Sequence, residues 1–344
     1  MRNSCVFKVA GTTPFRLAST KLFGKWGSNM QNIEKGLRRI YVPDPGKIFA
    51  QIDQSGADAL IVAYCGVAGN YRELFIHGIK PHTYMAMNLF ADIWPKKMLE
   101  YRLISSPSEF DIQELIKCKI SELKNHPHWQ NLANLIKDSD DWSLSERYYY
   151  LGKQTEHSSN YGINPPMFRM NVLEKSGGKI VISKEDSERF LDVKHSLFPE
   201  IKGSYQKYVE RCAKDNKILY NLHGHPYQIT DYEIGETELK ELYAWIPAST
   251  VAEITNIAYS DMYSYIVREG KQWDLLSNTH DSYLLQCPES EAIECGTKAA
   301  EFMQQEFTSP IDGAKFQMKS EVQVGYNWSP AKASNPSGLR TIKV

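Results

Sequence analysis

The segment Gly46-Lys-Ile-Phe-Ala-Gln-Ile-Asp53 most constrains what this chain can fold into. A glycine turn leads into a short apolar run, which reads as a strand buried in a sheet. The strand leaves the core on a carboxylate. The residues that follow, Gln54-Ser-Gly-Ala-Asp58, bring a second acid at the start of a helical pattern, ADALIVAYCGVAG. A carboxylate at the end of a core strand costs free energy unless it meets a cation or a donor. The chain must therefore build a sheet around residues 46–53 and supply Asp53 with a partner.

Two further segments carry chemistry of the same kind. Leu275 to Cys287 reads as strand, turn, strand, with His280-Asp281 at the turn. The capping box Ser143-Leu-Ser-Glu146 starts a helix that runs through RYYYLGKQTEHSSNYG and stops near Gly162 and Pro165. On that helix Lys153, His157 and Tyr161 lie at i, i+4 and i+8 and share one face, with Tyr149 one turn back. Two strand-end carboxylates can hold two Mg²⁺ ions about 3.5–4 Å apart for in-line phosphoryl transfer. Mg²⁺ suits such a pair because it takes its remaining oxygen ligands from phosphates. A face with a lysine and a tyrosine can hold a triphosphate and stack on a base.

The chain has 344 residues, 42% hydrophobic and 24% charged. At roughly 150 residues per domain this suggests two domains, and the composition excludes a disordered, collagen-like or disulfide-stapled chain. No apolar run reaches the ~18 residues of a membrane span, and the N-terminus lacks the apolar core of a secretory signal. The six cysteines (5, 65, 118, 212, 287, 295) form no CxxC pair and no zinc spacing, so they read as reduced packing residues. The net charge of −1 hides a segregation: +7 over residues 1–50, −12 over 51–312 and +4 over 313–344. Basic ends can track phosphates, and an acidic centre can hold divalent metal.

Between these segments, HTYMAMNLF after His82 predicts a helix, and the polar residues 95–145 predict a helical insertion whose His126-Pro-His128 is a surface turn. An amphipathic pattern occupies 183–216, a hairpin turning at Gly224 occupies 218–229, and a helix is expected over 250–268. The chain closes on KFQMKSEVQVGYNW, which alternates as one strand.

The ordered set resembles the family A DNA polymerases, bacterial polymerase I and its bacteriophage relatives. Asp53-Gln-Ser-Gly-Ala-Asp58 resembles their motif A, Lys153 to Tyr161-Gly162 their motif B, and Thr279-His280-Asp281-Ser282 their motif C. Thr13 to Leu17 with Arg16, Ser28-Asn-Met-Gln31-Asn32-Ile33, Pro81-His82-Thr83, Ile246 to Glu253, and Val322-Gln-Val-Gly325 with Asn327-Trp328 resemble further family segments. The likeness runs from about residue 12 to 330.

It implies an α+β fold: a palm with an antiparallel sheet from residues 1–60 and 246–344, and mainly helical fingers from 61–245, with 95–145 as an insertion. It implies DNA-templated DNA synthesis from dNTPs on primer–template DNA. Asp53 and Asp281 would hold the two Mg²⁺ ions and Lys153 would contact the triphosphate. Tyr161 would lie beneath the nascent base pair and His157 on the sugar, while Asp58 would exclude a 2′-hydroxyl. Arg16, Gln31 and Asn32 would contact the template or the minor groove, and His280 the primer terminus.

Several positions depart from the family pattern. Gln54, Tyr149, Ala248 and Ser282 stand where the family has a tyrosine, an arginine, a glutamine and an acid. Arg147 lies about 160° from the Tyr149 position on an ideal helix. Nothing before residue 12 matches a thumb or exonuclease, so a separate polypeptide supplying them is one expectation. A single-subunit RNA polymerase and a non-catalytic DNA-binding remnant are the alternatives. No membrane association is expected, and the expected place of action is the cytoplasm of a bacterium or an infected host cell.

Overall fold

A computed structural model describes residues 5–8, 11–21, 27–34, 36–138, 147–230 and 233–344. The capping box expected at 143–146 lies outside the described residues. In chain order the elements begin with β1 (Val6–Lys8), β2 (Ala18–Thr20) and β3 (Lys47–Gln54). Helices α1 (Ala57–Tyr64), α2 (Asn70–Ile76), α3 (Pro81–Leu89), α4 (Trp94–Glu100), α5 (Ile112–Lys117), α6 (Ile120–Leu123), α7 (Trp129–Asp138), α8 (Tyr148–Ser159), α9 (Pro165–Lys175), α10 (Lys184–Leu197) and α11 (Lys207–Arg211) follow. The chain then forms β4 (Ile218–Tyr220), β5 (Pro226–Gln228), α12 (Glu236–Glu269), β6 (Asp274–Thr279), β7 (Ser282–Pro288) and α13 (Ala292–Met303). It ends with β8 (Glu306–Thr308), β9 (Lys315–Gln317), β10 (Ser320–Gly325) and β11 (Arg340–Ile342). Among the described residues no helix is long and apolar enough to cross a membrane.

Two compact units divide the chain. The first takes Met1–Ile61, Ile218–Gln228 and Trp245–Val344, and the second takes Val62–Lys217 and Ile229–Ala244.

The first unit is built on a five-stranded antiparallel sheet of order β11-β10-β3-β7-β6. β3 is central because it is apolar on both faces. Ile48, Ala50 and Ile52 are buried on one, and Phe49 on the other. Helix α13 packs on β3 and β10. Its buried residues, Ala292, Cys295, Gly296, Ala299, Ala300 and Met303, fall at helical spacing and are mostly small. A Cβ on Gly296 would lie 2.6 Å from Val322 Cγ1, so the close approach of helix and sheet needs glycine there. The Tyr283 hydroxyl donates to the Ala299 carbonyl at 3.0 Å. The other face is closed by Met30, Phe49, Leu284, Trp328 and Leu339, and the Trp328 indole donates to Gln51 Oε1 at 2.8 Å.

The second unit is helical. α3 and α8 are its closest pair, because a Cβ on Gly152 would meet the His82 carbonyl at 2.7 Å and Ala86 at 3.0 Å. The insertion forms most of α4 and all of α5 to α7 and contributes its own buried residues, among them Met98, Leu115, Leu123, Leu132 and Ile136. α1 stops at Tyr64, short of the Gly69 that ends the expected helical pattern. The buried Arg72 guanidinium donates to the carbonyls of Ala63 (3.2 Å) and Gly66 (2.6 Å), satisfying groups that a longer helix would have used.

Two expectations are corrected. The helix expected over 250–268 begins at Glu236 and contains Pro247. Proline removes the donor to the residue four positions earlier, and the orphaned Tyr243 carbonyl instead accepts the Tyr205 hydroxyl. The closing segment is two strands, not one. β9 pairs with β8, and β10 pairs with β3 and β11. Phe316, Met318 and Val322 stay buried across the break, so alternation reported the face and not the pairing. All six cysteines are free, and Cys65, Cys287 and Cys295 are buried.

Candidate functional site

In the first unit the strand register joins two sequence segments more than two hundred residues apart. Asp53 pairs with Ser282, and the Gln54 amide donates to the Asp281 carbonyl at 2.9 Å. Gln54 and Asp281 are therefore a hydrogen-bonded pair, which makes Asp53 and Ser282 the non-hydrogen-bonded pair beside it. Such pairs have Cα atoms only about 4.5 Å apart. The turn itself is tight. His280 has φ 63°, the Asp281 amide donates back to the Thr279 carbonyl at 2.8 Å, and the Thr279 and Ser282 hydroxyls meet at 2.6 Å. A non-glycine residue in the left-handed region costs on the order of 1–3 kcal/mol.

Alternation along β3 separates two neighbours with different tasks. Gln54 points inward, its amide donating to the Val251 carbonyl (3.1 Å) and Thr255 Oγ1 (2.7 Å) of α12. Asp53 lies on the opposite face, half-buried. On that face Glu321 of β10 stands directly opposite Asp53. Reading the sequence segment by segment missed Glu321, because only the register brings β10 beside β3.

Charges converge on Asp281. Burial raises its carboxyl above the ordinary aspartate value and Asp58 adds repulsion, while a backbone hydrogen bond, His280 and Arg16 pull it down. Burial and then the Arg16 charge lower His280 from its usual value, against the pull of Asp281. Arg16, Asp58, His280 and Asp281 are thus electrostatically coupled, with Asp53 on the adjoining strand. Arg16 sits on a loop anchored to α12. Asn256 donates to the Phe15 carbonyl at 3.1 Å and Trp245 to the Thr13 carbonyl at 3.4 Å. Arg16 Nε and His280 Nδ1 are buried without a hydrogen-bond partner among the described residues.

Gln31 and Asn32, adjacent in sequence, differ in role. Gln31 is buried. Its amide nitrogen donates to the carbonyls of Leu17 (2.8 Å) and Asn278 (3.0 Å), and its oxygen accepts from the Ser19 amide (2.8 Å). Both amide hydrogens are committed, so it fastens the N-terminal loop to β6 and has no donor left for a ligand. Asn32 is exposed.

In the second unit α8 carries Lys153, exposed, and His157, half-buried. Tyr161 lies beyond the helix, which ends at Ser159, so the expected i, i+4, i+8 face holds only for the first two residues. Gly162 (φ 71°) turns the chain, and bonds of 3.3 Å run from the Tyr161 and Gly162 amides to the carbonyls three residues back, Ser158 and Ser159. The Tyr161 ring still meets the His157 ring edge-on at 5.5 Å. Arg147 is the N-cap and non-helical (φ −123°, ψ 38°), so the ideal-helix angle does not apply to it.

His82, on α3, which the sequence offered only within Pro81-His82-Thr83, is brought to this face by the structure. Its ring lies 5.9 Å from Tyr149, one turn before Lys153. Its Nε2 is 3.1 Å from the carboxylate of the buried Glu156. Spacing on α8 alone could not find it.

Among the described residues no group of three or more His, Cys, Asp or Glu side chains is arranged to hold a metal ion. The carboxylate pair Asp53 and Asp281 nevertheless fits Mg²⁺, which needs only one or two carboxylates plus phosphate oxygens. The proton affinity that burial and Asp58 give Asp281 is what a cation would relieve.

No protein-family model matches the sequence, and no curated protein matches it. The fold is similar to a solved structure, the POL domain of Pol1 from M. smegmatis in complex with DNA primer-template and dNTP. The TM-score is 0.63 at 16% identity, over 94% of this chain and 47% of that one. The chain thus spans about half the length of that structure and shares its α+β polymerase fold.

Proposed function

We propose that this chain is the catalytic portion of a DNA-templated DNA polymerase of the family A type, with residues 1–60 and 246–344 as palm and 61–245 as fingers. The observation that carries the reading is the register that sets the strand-end Asp53 beside the Asp281 turn, with Arg16 and Asp58 coupled to it. Asp53 and Asp281 would hold two Mg²⁺ ions. When bound, such ions neutralise charge developing on the transferred phosphoryl and activate the attacking oxygen.

The chain's own residues do the rest by positioning. Lys153 would contact the dNTP triphosphate, His157 and Tyr161 the sugar and base, and Asp58 the 2′ position. Arg16 and Asn32 would contact template DNA and His280 the primer terminus. Gln31 would act by holding the loop that carries Arg16. The fold likeness to a domain solved with primer-template and dNTP supports these partners.

Primer extension with labelled primer–template, Mg²⁺ and dNTPs tests the reading. Extension lost in Asp53→Asn and in Asp281→Asn is the expected result, and extension that survives both substitutions would overturn the assignment. Tyr149 and Ala248 favour a second reading, a DNA-binding chain without catalysis of its own. A folded chain that binds primer–template without extending it would support that reading. Incorporation of NTPs in preference to dNTPs would favour the RNA polymerase instead.

A further inference from the structure

Beside Arg16 lies an aromatic array that the proposed chemistry does not use. Phe15 has φ 60°. A bulky aromatic residue in the left-handed region is an outlier, and such strain persists only where the surroundings hold it. Here the turn holds it through its backbone. The Phe15 amide donates to the Thr12 carbonyl at 3.0 Å, and the Phe15 carbonyl accepts from Asn256 at 3.1 Å. The Gly11 amide closes the turn on the Arg16 carbonyl at 3.1 Å, and the Arg16 amide donates to Thr12 Oγ1 at 3.2 Å. Glycine at position 15 would keep every one of these bonds without strain. The ring is the one thing glycine would not supply.

That ring joins three segments of the first unit. It meets His225 of the β4–β5 hairpin (5.8 Å, 52°) and the edge of Trp245 of α12 (6.3 Å, 71°), and Trp245 stacks on Tyr227 (5.2 Å, 30°). Trp245 is buried, Phe15 and Tyr227 are half-buried, and the His225 side chain keeps 58% of its surface. The array is thus anchored at one end and open at the other. The open end is stiff. His225 Nδ1 lies 2.7 Å from Glu253 Oε1, Asn221 Nδ2 donates to Glu253 Oε2 at 2.8 Å, and Asn221 Oδ1 accepts from the His223 and His225 amides, both at 3.0 Å. Packing the turn onto α12 does not account for the ring, because the Trp245 indole and Asn256 already fasten it through the Thr13 and Phe15 carbonyls.

Rings held next to a cation suit single-stranded nucleic acid: bases stack on the aromatic faces while a basic group takes the backbone. Arg16 follows Phe15 directly, its Nε is buried without a hydrogen-bond partner among the described residues, and residues 1–50 carry a charge of +7. We propose that Phe15 and His225 form a stacking platform for an unpaired nucleobase whose phosphate Arg16 holds. The proposal rests on the proposed function, to which it adds a base-binding subsite. Phe15, Arg16 and His225 all belong to the first unit, so the platform does not depend on the second. The base has two sources, the first unpaired template position or a frayed primer terminus, and the test separates them.

The probe is 2-aminopurine, whose fluorescence falls when it stacks, read by equilibrium titration without nucleotide. One primer–template carries it at the first unpaired template position, a second carries it at a mismatched primer 3′ end, and an unlabelled blunt duplex serves as competitor. Wild type should quench the probe at one of the two positions, and that position names the strand. Phe15→Gly relieves the turn and leaves Arg16 in place, so it should abolish the quenching and weaken that ligand about tenfold, within the range of one stacked base, while the blunt duplex binds as before. Phe15→Tyr should restore both, and His225→Ala should weaken the same ligand and spare the blunt duplex. Wild type that binds no primer–template would sink the proposed function and this subsite with it. Binding without quenching at either position, quenching that survives Phe15→Gly or His225→Ala, or an equal loss on the blunt duplex would overturn the platform alone.

Discussion

Gly296 offers a test in which two physical terms predict opposite signs. Replacing glycine by alanine inside a helix stabilises by about 1 kcal/mol when nothing else changes. Here the new Cβ would lie 2.6 Å from Val322 Cγ1 and 3.7 Å from Ile342 Cδ1. Val322 is 1% exposed and paired on both sides, with Ile52 of β3 and Ile342 of β11, so it cannot swing away. Overpacking of a closed core costs about 1–3 kcal/mol. The net expectation for Gly296→Ala is a loss of up to about 2 kcal/mol, or roughly 2–8 °C in melting temperature for a unit of this size. Differential scanning calorimetry measures it. The decisive comparison is the cycle with Val322→Ala, which removes the atoms in the way. In that background the alanine at 296 should become neutral or stabilising, a coupling on the order of 1–2 kcal/mol. A Gly296→Ala protein that melts higher than wild type would refute the argument, because helix propensity would then be acting without the clash.

Gln31→Leu strands three buried polar groups, the Ser19 amide and the Leu17 and Asn278 carbonyls, and should cost about 3 kcal/mol in denaturant titration. A loss confined to DNA affinity with stability unchanged would contradict the tethering role. His280→Gly removes a left-handed non-glycine residue and should raise stability by about 1 kcal/mol, while His280→Val should lower it, both read from urea midpoints. Burial, then Lys202 and Lys194, lower His195 from 6.5 to about 4. The unfolded chain therefore takes up the proton first as pH falls. The stability of the second unit should decline from about pH 6.5 to 4 and then level off for this group, and His195→Gln should flatten that decline in chemical denaturation.

Much of the first unit was legible in its residues because strands announce themselves locally. The apolar run 46–53, the strand–turn–strand at 275–287 and the turn at Gly224 each depend on neighbours in sequence. The acids at positions 53 and 281 stood out because a carboxylate closing an apolar run has no local justification. The helix before β6 was misjudged for the converse reason. Pro247 is a local stop signal, and the hydroxyl that cancels it belongs to Tyr205, on another segment.

The sequence by itself located β3, β6, β7, α3 and most of α8, where glycine must turn the chain, and which polar groups stand at the ends of apolar runs. These follow from side-chain periodicity and backbone sterics, which act over a few residues. Only tertiary structure decided that Gln31 is a fastener and Asn32 is not, that Glu321 faces Asp53, that the closing segment splits between two sheets, and that His82 sits between Lys153's helix and a buried carboxylate. Each of these depends on strand register or helix contact across long stretches of chain. Pairing and burial are properties of partners, and a residue's own neighbourhood in sequence does not contain them.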